Sequence, residues 1–296
     1  MASAKEIKRR MESVKETRKI TNAMYLISQT KMRKAKEELE HTRPYFAMQE
    51  HEIKRIFRSG GSIRSHYFHP EKGPREGTKF AYLVITADKG LAGAYNMNVI
   101  RKAEDELKKH PDSQLYVVGE FGRRYFERHG VEIVRSFLYT AQSPTFRRAR
   151  EICAILLEEY DEHRVDEIRV VYSDMENEMS SAVKVMHLLP LDRRPFEQQE
   201  EMNTNDEHYR FWPSQTEVLN SIIPSYVAGF IYGALVDSFS VEQRSRMTAM
   251  KSSTDNADEL IRKLGIQHNR LRQGAITQEL TEIASGARAS KMNEEL

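Results

Sequence analysis

Ala87-Asp88-Lys89-Gly90-Leu91-Ala92-Gly93-Ala94-Tyr95-Asn96 follows a short apolar run and has the glycines of a phosphate-cradling turn. It lacks the three-glycine dinucleotide pattern, and no Gly-Lys-Ser/Thr occurs for a P-loop. A tight strand-to-helix turn needs glycine whatever it binds, so the segment reads as structural. The ten histidines show no paired metal spacing: His66 and His69 fall in a Gly/Pro-rich stretch, His51 in a helical one, and His268 in a heptad seam. Cys153 is the single cysteine, set among Ile152, Ile155 and Leu156, which reads as burial rather than nucleophilic work. No Gly-x-Ser-x-Gly elbow is present. The chain carries no pattern of a self-contained catalyst.

Two clusters suit recognition instead. Lys5, Lys8, Arg9, Arg10, Lys15, Arg18 and Lys19 crowd the N-terminus. Residues 1–34 hold ten Lys/Arg against three acids, a local balance of +7. Such a face can track a nucleic-acid backbone, meet an acidic protein surface, or simply be solvated. Nucleic-acid binders usually add stacking aromatics, and Tyr25 is the only aromatic before Tyr45. Near the other end, Arg272, Gln273 and Thr277 are polar groups on a thin helix with Gly274 and Ala275. Gln273 and Thr277, four apart, share a face.

The elements that position these residues follow from periodicity. Ile7, Met11, Val14, Arg18, Thr21, Tyr25, Ser28, Met32, Ala35 and Leu39 alternate by four and three, a heptad seam with small and polar members. Ile20, Met24 and Ile27 make a second stripe. Met247, Met250, Thr254, Ala257, Ile261, Leu264, His268, Leu271 and Ala275 alternate by three and four over a stretch from Ser214 to Ala289. That is roughly 110 Å of helix at 1.5 Å per residue. Pro224 is expected to kink or restart it, and Gly265, Gly274 and Gly286 to weaken it locally. The two ends are expected to pair antiparallel around an insertion.

In the insertion, Phe80–Thr86, Gln114–Val118, Glu167–Tyr172 and Ala182–Leu189 read as strands. Helical patterns near Met97–Lys109, Gly122–His129 and Thr145–His163 alternate with them. This predicts a small, mostly parallel sheet covered on both faces. The divisions are 1–58 (N-terminal helix), 59–78 (connector), 79–195 (α/β domain), 196–213 (acidic loop) and 214–296 (C-terminal helix). Around the acidic loop, residues 192–207 hold six acids against Arg193 and Arg194. Of the 296 residues, 30% are charged and 39% hydrophobic, too little core for two ordinary compact domains. No run approaches the roughly 18 apolar residues of a membrane span. With no secretory leader and one cysteine, the expectation is a soluble protein of a reducing compartment.

Three blocks carry a family resemblance: Ala4-Lys5-Glu6-Ile7 through Thr17-Arg18-Lys19-Ile20-Thr21-Asn22-Ala23-Met24 and Lys31-Met32-Arg33; Thr86 through Asn96; and Glu242-Gln243-Arg244-Ser245-Arg246-Met247-Thr248-Ala249-Met250-Lys251 with Asn269-Arg270-Leu271-Arg272-Gln273 and Ile276 through Ala287. The sequence resembles the gamma subunit of the F-type ATP synthase, in its bacterial version, in order along the whole chain. It departs at Ala92, where many members have Cys, at Ala94, where many have Gly, and at Tyr25–Thr30.

The resemblance implies an α/β plus coiled-coil fold: an antiparallel coiled coil of the terminal helices with an inserted Rossmann-like domain. It implies a non-catalytic rotor shaft coupling proton flow to ATP synthesis or hydrolysis, with alpha and beta subunits, the epsilon subunit and the membrane c-ring as partners. It implies no cofactor of its own, because ATP, ADP and Mg bind the alpha and beta subunits. By match to family motifs, Arg272, Gln273 and Thr277 would catch a beta-subunit loop, and Lys8, Arg9, Lys15, Lys19 and Met24 would face beta's acidic lever. Met11, Val14, Met247, Met250, Ala257, Ile261, Leu264 and Leu271 would form the seam, and Tyr209, Phe211 and Trp212 the foot on the membrane ring. The implied location is peripheral, on the cytoplasmic face of the bacterial plasma membrane. The competing readings are a soluble α/β nucleotide-binding enzyme with coiled-coil arms and a basic helical nucleic-acid-binding protein. The first needs a ligand pocket at the sheet's C-terminal edge; the second needs steeply salt-dependent RNA or DNA binding.

Overall fold

The computed structural model describes residues 4–59, 63, 65–68, 77–138, 141–175, 180–197 and 210–294, with side chains as far as 286. Helix α1 spans Ala4–Arg58 and α6 spans Gln215–Glu294. Between them come β1 (Phe80–Ile85), α2 (Tyr95–Lys109), β2 (Gln114–Val118), α3 (Glu120–Arg128), β3 (Arg135–Phe137), α4 (Phe146–Asp161), β4 (Glu167–Asp174), β5 (Ala182–Leu189) and the single turn α5 (Arg194–Glu197). Residues cluster into two units. One joins 1–27 with 247–296, and the other is 28–246.

In the larger unit the sheet order is β3-β2-β1-β4-β5. The first four strands are parallel, and β5 runs antiparallel to β4 at the edge. Central strands β1 and β2 are buried on both faces after their first residue, which is why they read as unbroken apolar runs. One face packs on α4, on the 28–58 part of α1 and on the 215–239 part of α6, through Ile53, Ile56, Ile152, Leu156, Leu219, Ile223 and Ile231. The other packs on α2 and α3 through Val99, Ile100, Ala103 and Phe126.

Four details differ from expectation. Strand β3 was not anticipated: it is three residues long and begins Arg135-Ser136, so no apolar run marks it. Strand β4 runs two residues past Tyr172. Pro224 neither ends nor restarts α6, because burial of Leu219, Ile223, Val227 and Ile231 on both sides of it overrides the local preference. Finally, α6 does contain an 18-residue window apolar enough, by length and composition, to cross a membrane. About 56% of that window is buried, against this unit's own core.

Gly119, between β2 and α3, has φ +95°, and a Cβ there would lie 2.3 Å from the Thr86 backbone oxygen. Gly119→Ala should therefore cost about 3 kcal/mol, from left-handed strain and overpacking together. Urea unfolding of the two proteins checks this, and a loss under about 1 kcal/mol would show that the turn relaxes.

Candidate functional site

The smaller unit sets where helix is paired and where it is bare. The Thr21 and Thr254 hydroxyls lie 2.7 Å apart, and Arg18 Nε meets Asp258 Oδ1 at 2.5 Å. Numbers rise along one helix as they fall along the other, so the pairing is antiparallel. Ile7, Thr21, Met250, Ala257 and Leu264 are buried, while Met11, Val14, Met24, Met247, Ile261 and Leu271 are half-buried. Polar groups at seam positions fix register more sharply than apolar ones, since a slip would leave them unpaired.

That register has a geometric result. Paired residue numbers total 275 or 276, so Ala4, where α1 begins, stands opposite residue 271 or 272. Beyond it, every residue described from 272 to 286 is exposed. Ile276 is 48% exposed, Leu280 62% and Ile283 69%. Their spacing of four and three puts them on one apolar stripe, exposed among the described residues. A Cβ at Gly274 would meet nothing within 4 Å.

Arg272, Gln273 and Thr277 all lie on this bare helix. The Arg272 guanidinium forms no ion pair among the described residues. Thr277 donates its hydroxyl to the Gln273 carbonyl oxygen at 2.9 Å, and Thr281 donates to that of Thr277 at 2.8 Å. In the basic cluster Lys8, Arg9, Lys15 and Lys19 are exposed, with Lys19 3.0 Å from Glu16. Ile20 and Ile27 of the second stripe are also exposed, at 60% and 55%. Of the foot residues, Tyr209 lies outside the described residues, Trp212 is 89% exposed, and Phe211 is half-buried against the larger unit's core.

The glycine turn is occupied from within. In an open α/β sheet, ligands enter where strand order reverses, here at the C-terminal ends of β1 and β4. Thr86 Oγ1 donates to the Val118 carbonyl at 2.8 Å and accepts from Gly122 N–H at 3.0 Å. Ala87 N–H donates to Asn96 Oδ1 at 2.9 Å, and Glu120 N–H to Asp88 Oδ1 at 3.0 Å. From α6, Ser238 Oγ accepts from Ser173 N–H, Val241 packs beside Ala87 and Tyr95, and Arg246 donates to the Gly90 carbonyl at 3.0 Å. The crevice that would hold a nucleotide is filled by the chain's own helix.

Arg246 is the residue that sequence reasoning quoted without a role. It is 8% exposed and lies 2.6 Å from Glu242, itself 5% exposed. Burial pushes the Glu242 carboxyl above its ordinary range, and the Arg246 guanidinium pulls the other way. Only the basic letter amid polar neighbours hinted at it; the turn it holds is 156 residues away.

Arg246→Met should cost roughly 3–5 kcal/mol at pH 7–8, the cost of stranding a buried charge. Glu242 would then titrate higher still. A carboxyl whose folded pKa is raised favours the fold below its unfolded pKa and loses that as pH rises through the folded one. The deficit should therefore shrink toward pH 5, and denaturant melts at pH 5 and 8 measure it. An equal loss at both would place the effect on packing.

The model of the ATP synthase family matches residues 3–289. An ATP synthase gamma chain of Caldanaerobacter subterraneus subsp. tengcongensis is 46% identical over 292 residues, covering 96% of this chain and 98% of that one. Among solved structures, a chain of the Tetrahymena thermophila mitochondrial ATP synthase central stalk and c-ring matches with TM-score 0.55 at 23% identity, over 79% of this chain and 98% of that one. A chain of the Euglena gracilis mitochondrial OSCP/F1/c-ring assembly matches with TM-score 0.66 at 16% identity, over 99% and 96%. These two support the fold: long terminal helices around a mixed sheet. With nearly the full length matched in one order, the chain belongs to the family of ATP synthase gamma chains.

Proposed function

We propose that this chain drives the catalytic head through its bare helix end, from Arg272 to Ile283. As a gamma chain it is a central-stalk subunit of the rotary, membrane-associated ATP synthase and holds no catalytic site of its own. One observation carries the finer reading: fifteen successive described residues, 272–286, are helical, exposed and striped with Ile276, Leu280 and Ile283. Apolar area is worth about 25 cal/mol per Å² when removed from water, so this stripe favours enclosure by a partner.

Within a ring of alternating alpha and beta subunits, a single shaft presents a different face to each of three catalytic sites. It shifts a site between open and closed only by touching those two states differently; affinity common to both shifts nothing. Arg272, Gln273 and Thr277 fit such an angle-dependent contact. The guanidinium has no partner here to surrender, and charge-assisted bonds are strong yet directional. Lys8, Arg9, Lys15 and Lys19, exposed on α1, together with half-buried Met24, fit the acidic lever of beta, where charge complementarity guides a surface without interlocking it. At the sheet end, Trp212 is exposed toward whatever joins there, which we assign to the epsilon subunit and the c-ring. ATP, ADP and Mg belong to the alpha and beta subunits, and the complex sits at the cytoplasmic face of a bacterial plasma membrane.

Arg272→Ala or Gln273→Ala should lower ATP turnover of the assembled complex several-fold while leaving the melting of the isolated chain within about 0.5 kcal/mol, as for surface changes. An equal loss of folding would reassign these residues to structure. A cysteine cross-link tying residue 276 to a beta subunit should abolish steady-state turnover and restore it on reduction. Undiminished multi-site turnover with the link intact would contradict the reading.

A further inference from the structure

Within the larger unit, α1, α6 and the β4–β5 edge enclose an open-mouthed cavity of about 390 Å³. Such a volume is in the range of small-molecule sites. Its walls are mostly apolar, with Phe46 from α1, Tyr172 and Met186 from β4 and β5, and Tyr226 and Phe230 from α6. Two glycines of α6, one turn apart, line it, and they are not equivalent. A Cβ on Gly229 would lie 2.5 Å from the Phe46 ring, so close packing accounts for that glycine. A Cβ on Gly233 would meet nothing within 4 Å; the space it leaves is the cavity itself.

One turn further along the same face is Asp237, which also lines the cavity. The charges around it are otherwise matched: Asp174 pairs with Lys184, Arg43 lies 3.1 Å from Glu40, and Glu50 lies 2.9 Å from Lys54. Asp237 forms no ion pair or hydrogen bond among the described residues. Lys36, Lys184 and Arg43 attract it from beyond pairing distance, and Asp174 repels it. Burial, with Asp174 adding to it, pushes its carboxyl up to about 6. Half-buried, beside four aromatic rings and one carboxylate without a counter-ion, the space suits a positive charge on an apolar body. The faces of Tyr and Phe add attraction for such a charge.

We propose that this cavity binds a small organic cation, its apolar body against Phe46, Tyr226 and Phe230 and its positive end against Asp237. The assignment does not depend on the rotor reading. Benzyltrimethylammonium, whose charge is independent of pH, is the probe. The full-length chain, labelled at methionine methyls with Met186→Leu as the assignment reference, is titrated at pH 7.5 by NMR. The expected result is a saturable shift at Met186. Asp237→Asn, close in shape, should weaken binding at least tenfold. Gly233→Leu should abolish it, and neutral benzyl alcohol should bind at least tenfold more weakly.

The sign of the pH effect follows from the carboxyl: with its pKa near 6, lowering the pH from 7.5 to 5 protonates it and should weaken binding about tenfold. Circular dichroism confirms that each variant folds. Should Gly233→Leu not fold, the Asn variant and the neutral probe decide. An absent Met186 shift overturns the proposal, as does equal binding by Asp237→Asn or by benzyl alcohol.

Discussion

The rest of the molecule depends on two helices locked in one antiparallel register. Thr21 against Thr254 and Arg18 against Asp258 set that register within the smaller unit. Their energies are modest, since an exposed ion pair contributes about 0–1 kcal/mol and a hydroxyl pair about one. Their value is positional: a shift by one turn leaves both pairs unmade, whereas the small and apolar members of the seam would tolerate it. With register fixed, Ala4, the first described residue of α1, stands opposite residue 271 or 272, and the described residues beyond are exposed. The exposed, striped stretch from 272 to 286 is thus placed by register as well as by local sequence.

In the larger unit, α6 does a second job. A doubly wound sheet leaves a crevice at its switch point, which many folds use for a ligand. Here α6 lays Ser238, Val241, Glu242 and Arg246 across that opening. The turn after β1 is hydrogen-bonded to Asn96, to the start of α3 and to Arg246. Gly93, at φ +55°, serves the backbone conformation of this turn. An α/β domain with its crevice sealed by a shaft helix is a mount for that helix.

Much of this was legible in the sequence, for identifiable reasons. A heptad persists over many turns, so the long terminal helices could be read from spacing alone. Strands β1 and β2, buried on both faces, announce themselves as apolar runs. Short or long-range features did not. Strand β3 has three residues and a polar start. Pro224 obeys tertiary burial over local preference, and Phe211 packs on the core although it sits beside exposed Trp212. Arg246 and Asp237 carry little local mark, because burial and groups distant in sequence define them: Gly90, 156 residues from Arg246, and Asp174 and Lys36 around Asp237. Arg272, Gln273 and Thr277 follow from family resemblance; what the structure adds is that they are exposed on α6, past the residues that face the described part of α1.

The back-bond of Thr277 to the Gln273 carbonyl has an effect beyond the helix. Its only proton is already committed, so its oxygen is left as an acceptor, while Arg272, five residues back and on another face of the helix, can only donate. A neighbouring loop that satisfies both must therefore bring an anion to one point and an N–H or O–H to another, about a turn away. Such a two-signed template has a direction along the helix, so a loop that fits it in one orientation mismatches it in the reverse. Polarity of that kind, written in two side chains, lets a thin helix tell which way round a contact approaches it.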